Sequence, residues 1–137
     1  MRLSVSVGGT LTVSKIQKQV SDKMRKALDV AGTKALSMIK RRTNKGDGLN
    51  GKFKPYSKGY KAYKAKKEKD PFTVNLRDGG DMMKHMTARI QGDTALIYFI
   101  TAESNKKAYF NDKLRPFFDL NAEEQKTISN IFTRYLK

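Results

Sequence analysis

The chain has no cysteine. Disulfides and thiolate metal sites are therefore excluded, and the composition suits a reducing compartment. It holds a single histidine, His85, which argues against a histidine-based metal or catalytic centre. No run approaches 18 apolar residues, so no segment reads as a membrane span. The opening MRLSVSVGGT is too short in apolar residues for the core of a signal peptide. Hydrophobic residues make up 38% of the chain, below the usual 45–50% or so for globular domains. The core should be modest, with some apolar surface left for a partner.

Acidic residues are the other shortage. Against 13 Asp or Glu stand 29 Lys or Arg, for a net charge of +16. Such an excess selects anionic partners: nucleic acid, an acidic protein surface or an anionic membrane. The excess is local. From Lys34 to Lys69 there are 13 basic residues and 2 acids, whereas residues 70–137 are nearly neutral. The length of 137 residues fits one domain. The expected fold class is α+β: a long N-terminal helix and a C-terminal helix on a small antiparallel β-sheet, with a long basic arm inserted at about 41–75.

Residues 2–7 alternate, with Leu3, Val5 and Val7 on one face, and predict a half-buried strand. Gly8-Gly9 predicts a turn, after which Leu11 and Val13 continue the pairing. Ser14 and Gln17 have capping-box spacing, and apolar residues then recur at steps of three and four from Ile16 to Ile39. A helix is expected from Ser14 to about Arg42, with Gly32 allowing close packing or a bend. The basic stretch follows. Asp47-Gly48 and Asn50-Gly51 are turn dipeptides, Lys54-Pro55 is held extended, and Ser57 to Lys69 is compatible with a helix. Phe53, Tyr56, Tyr60, Tyr63 and Phe72 are poorly explained by a permanently solvated loop, so the stretch reads as an arm that orders on binding.

Beyond the arm, a short helix is expected from Asp81 to about His85, with Met82, Met83 and Met86 as core fillers. Residues 86–101 predict a hairpin turning at Gly92-Asp93. Its second strand is apolar on both faces and should be central, covered by the long helix on one side and by a neighbouring subunit on the other. Residues 103–111 read as a short helix or loop. Asn121 and Glu124 cap a terminal amphipathic helix marked by Ile128, Ile131, Phe132, Tyr135 and Leu136.

No metalloprotease, phosphate-loop or nucleophile-elbow motif is present. Asp78 and Asp81 are three apart, a spacing that helix capping explains more simply than acid–base work. A small basic nuclease using His85 remains a distant alternative.

Two linked segments carry a resemblance. Phe53-Lys54-Pro55-Tyr56-Ser57, Tyr60, a lysine run and Val74-Asn75-Leu76-Arg77-Asp78-Gly79-Gly80-Asp81-Met82 are followed by the hairpin, then by Arg115-Pro116-Phe117-Phe118-Asp119-Leu120 before the last helix. This order resembles the virion-morphogenesis and tail-completion (neck) proteins of tailed bacteriophages over most of the chain. The resemblance implies an α+β subunit that forms a ring at the head–tail junction, with DNA passing through the lumen and no enzymatic activity. A six-membered ring is expected, with twelve as the alternative. Expected neighbours are portal, adaptor or head-closure and tail proteins, with no cofactor and no membrane. The expected location is the virion head–tail junction, reached from the host cytoplasm during assembly.

Candidate contacts to DNA phosphates or acidic neighbouring subunits are Arg41, Arg42, Lys45, Lys52, Lys54, Lys58, Lys61 and Lys64. Candidate subunit-interface residues are Phe53, Pro55, Tyr56, Tyr60, Arg115, Pro116, Phe117 and Phe118. Residues 115–118 have two readings, a plug within the subunit's own core or a contact between subunits. The rival function is a non-specific nucleic-acid-binding module of ribosomal type, which explains the charge but not the order of motifs.

Overall fold

The computed structural model describes residues 2–6, 14–67, 69, 74–76 and 81–136. Expectations at Gly8-Gly9, Leu11, Val13, Phe72, Asp78 and Gly79-Gly80, and for the Ser14–Gln17 side chains, lie outside what it describes. The fold is α+β, as the composition and periodicity require.

The first strand, β1, is Arg2–Ser6. The long helix α1 runs Ser14–Asn44, two residues beyond the expected end. Its inner stripe is built from small side chains, Ala27, Ala31 and Ala35, together with Leu28 and Ile39, all fully buried. Small residues let the helix lie close on the sheet. At Gly32 a Cβ would stand 2.9 Å from Ala95 Cβ, so this glycine serves close packing. Two residues past the helix end stands Gly46, whose φ of 88° is the left-handed conformation that closes a helix C-terminus.

A small hairpin follows, with β2 (Asp47–Gly48) paired antiparallel to β3 (Gly51–Lys52). Helix α2 is Lys58–Lys66 and α3 is Asp81–Lys84. Strands β4 (Met86–Gln91) and β5 (Thr94–Phe99) are joined by Gly92-Asp93. Gly92 has a φ of 63°, the positive first position that hairpin turns demand. Helix α4 is Ala102–Leu114, longer than its weak periodicity implies, and α5 is Ala122–Leu136.

The main sheet has the order β1-β5-β4, entirely antiparallel, with Ile97 opposite both Leu3 and Ala88. As expected, β5 is central. Ala95, Ile97 and Phe99 share a face with Met86 and Ala88 beneath α1, while α5 packs on α1. On the opposite face Leu96 is buried, and the Arg89 guanidinium covers the Tyr98 ring at 4.9 Å. The apolar run ends early, because Ile100 lies beyond the strand and is exposed.

One core cluster unites α1, the sheet, α4 and α5. Met82, Met83 and Met86 fill it, as their spacing implies. Among the described residues, no helix is long and apolar enough to cross a membrane.

Candidate functional site

The basic stretch is anchored rather than free. Its first part is the end of α1, where two adjacent arginines diverge by the ~100° that one helical residue turns. Arg41 is exposed. Arg42 turns inward, pairs with Glu124 and donates from Nη2 to the carbonyls of Phe117 and Asp119, the latter at 2.9 Å. Its expected contact with DNA or an acidic partner is thereby corrected: the guanidinium is committed within its own subunit.

Downstream, Phe53 and Tyr56 are buried in the chain's own core. Ser57 caps α2, accepting from the Tyr60 backbone N–H at 3.2 Å. The helix then brings its tyrosines into a ladder, with ring centroids 4.6 Å apart for Tyr56–Tyr60 and 5.8 Å for Tyr60–Tyr63. Lys64 lies across this ladder, its Nζ 4.7 Å from the Tyr56 centroid, and is only 2% exposed. Lys64 is therefore a second correction, since its ammonium is sequestered against aromatic faces.

The expected unanchored arm at about 41–75 is likewise corrected over its described residues. It folds as helix end, hairpin and helix because its aromatics find a surface in the same chain. Phe53 and Tyr56 are spent there, in the core of their own chain. Tyr60 is half-buried beside them, and Pro55 remains exposed.

That surface is the loop between α4 and α5. Arg115 donates from Nε to Lys54 O at 3.1 Å and from Nη2 to Pro55 O at 3.4 Å, with its guanidinium 5.2 Å from the Tyr56 ring centroid. Pro116 O accepts from Leu49 N at 3.0 Å, completing the small hairpin. Phe117 and Phe118 enter the core, Phe118 lying 5.1 Å from Phe99. Of the two readings of residues 115–118, the intrachain plug is the one observed for both phenylalanines. Sequence reasoning passed over Asp112, whose Oδ1 accepts from the Phe117 and Phe118 N–H groups, both at 3.0 Å, and so shapes the loop. A carboxylate five residues before a Phe-Phe pair was the available signal.

The remaining candidates stay at the surface. Lys45, Lys52, Lys54 and Lys58 are exposed like Arg41, and Lys61 is half-buried. Between residues 41 and 67 the single acid is Asp47. These cations are thus carried on a segment fastened to the body of the chain, with their charges toward solvent. Beside the ladder lies an open hollow of about 490 Å³, with Tyr56, Tyr60, Lys107, Asn111 and Arg115 in its walls.

His85 sits apart from this site. Its Nδ1 is 2.8 Å from Ser104 Oγ and 3.5 Å from Thr101 Oγ1, so the ring braces the start of α4. Among the described residues no group of three or more His, Asp or Glu is placed to hold a metal ion.

No family model, curated protein or solved structure matches this chain.

Proposed function

We propose that this chain is a structural virion protein of a tailed phage, forming a ring at the head–tail junction through which DNA passes. One observation carries the reading: an almost acid-free cationic segment, fastened to the body of the chain, coexists with an exposed apolar strip on α4. The cations suit phosphates that are neutralised without being read in sequence. The strip consists of Tyr109, Phe110 and Leu114, which are 47%, 53% and 69% exposed. Exposed aromatics grouped in this way are the usual mark of an association surface. With Phe53 and Tyr56 occupied internally, α4 takes over the contact between subunits. The order of the motifs at 53–57, 74–82 and 115–120 supports the same assignment. Six subunits close the ring, with twelve as the alternative, and portal, adaptor, head-closure and tail proteins are its neighbours.

The test is the mass of the purified, nucleic-acid-free protein at moderate salt, with class averages by electron microscopy. A closed oligomer of fixed stoichiometry is expected. Phe110→Ser with Leu114→Ser should yield monomers with an unchanged circular dichroism spectrum. Solitary wild-type particles at every concentration overturn the reading. A second reading, a monomeric nucleic-acid-binding module, is favoured by the same exposed lysines. It predicts a monomer whose mass shifts only when DNA or RNA is added.

A further inference from the structure

A groove of about 570 Å³ runs along α1 and reaches the start of the basic segment at Arg41 and Asn44. Thr33, Ser37, Lys40 and Arg41 line one wall. Thr33, Ser37 and Arg41, each four residues from the next, stand in a row along the helix spanning about 12 Å at 1.5 Å per residue, with Lys40 beside them. Lys84 of α3 supplies a cation from the other element. Leu36 and the buried Met83 add apolar lining. Among the described residues no carboxylate pairs with Lys40, Arg41 or Lys84, and no described residue lining the groove is acidic.

We propose that this groove binds the phosphodiester backbone of a nucleic acid, without reading its sequence. A row of cations suits a linear polyanion better than a compact one. Hydroxyl donors interleaved with ammonium and guanidinium groups match oxygens that accept from several directions. The apolar lining lowers the local dielectric and so strengthens each charge contact. Desolvation by burial lowers the Lys40 pKa, so its charge lacks full hydration and an entering phosphate oxygen restores a partner. None of this requires a ring.

Fluorescence anisotropy with a short labelled DNA duplex of random sequence tests the assignment. Lys40→Gln with Lys84→Gln is compared with Lys106→Gln and Lys126→Gln, an exposed pair on α4 and α5 that removes the same charge away from both the groove and the basic segment. At about 0.1 M salt the groove pair should weaken binding about tenfold and reduce the logarithmic salt slope by about 2, while the control pair loses less than about threefold. Lys40→Arg with Lys84→Arg keeps both charges and should bind like the wild type. Equal losses from the groove and control pairs overturn the proposal. Displacement of the duplex by inorganic phosphate at matched charge assigns the groove to the free anion and also overturns it. Equally strong displacement by polyglutamate indicates an acidic protein partner, with the same consequence. Mass measured on the same samples separates this proposal from the ring: equal losses with an intact ring sink the groove alone, and groove-dependent binding by a monomer sinks the ring alone.

Discussion

Arg42 and Glu124 form an ion pair that ties the last turn of α1 to the first turn of α5 across 82 residues of chain. Glu124 is doubly engaged. Its Oε1 also accepts from Asn121 N at 3.0 Å while its own N–H donates to Asn121 Oδ1 at 2.8 Å, completing the capping box. Both charged side chains are largely buried, 9% and 13% exposed. Replacing Arg42 by methionine strands a carboxylate and two carbonyls, and should cost about 3 kcal/mol in urea unfolding. Adding Glu124→Gln should cost much less than a second independent lesion, because the stranded charge is gone.

Gly48 is set by the same loop. A Cβ there would stand 2.6 Å from both Pro116 O and Phe53 Cε1. The carbonyl is backbone and cannot swing aside, so Gly48→Ala should lower stability by about 2 kcal/mol. Gly59 lies in α2, where an added Cβ would meet nothing within 4 Å. Gly59→Ala should therefore stabilise the protein by about 0.5–1 kcal/mol. A shift of both urea midpoints in the same direction contradicts this account.

Arg115 holds the basic segment down by two backbone carbonyls and one ring face. Arg115→Ala should leave the core intact but accelerate tryptic cleavage after Lys52 and Lys58, Lys54 being protected by the proline that follows it. The expected loss in global stability is about 1 kcal/mol. Lysine cannot reproduce the fork geometry, so Arg115→Lys should be cleaved nearly as fast as the alanine variant.

Lys40 gives a pH signature. Its folded pKa lies below 10.5 through desolvation, so the unfolded chain binds the proton more tightly. The group opposes folding at neutral pH, and that opposition fades as pH rises through the lowered pKa toward 10.5. Lys40→Gln should thus be more stable than the wild type near neutrality, with the gap narrowing as pH rises. Paired urea titrations check the trend, and a gap that widens with pH refutes it.

Much of the fold was legible because it is periodic. The stripe of α1, the Gly92-Asp93 hairpin, the central position of β5 and the Asn121–Glu124 cap each follow from spacing or turn chemistry. Helix α4 was obscured by its own surface. Tyr109, Phe110 and Leu114 point outward while Ser104 and Ala108 are buried, which inverts the pattern a sequence reader looks for. The site was legible in composition and not in geometry. Nothing in the sequence separates Arg41, which faces solvent, from Arg42, which does not, because the distinction depends on a partner 82 residues away. Lys64 looked like one more solvated cation until α2 laid it across two tyrosines.

The bond from Leu49 N to Pro116 O has a consequence for synthesis on the ribosome. The hairpin and the tyrosine ladder are fastened by residues that leave the exit tunnel some 60 positions later than they do. Translation at about 5–20 residues per second leaves the lysine-rich stretch unfastened for several seconds. During that interval it is a naked polycation beside ribosomal RNA, and completion of the C-terminal quarter is the event that pulls it into place.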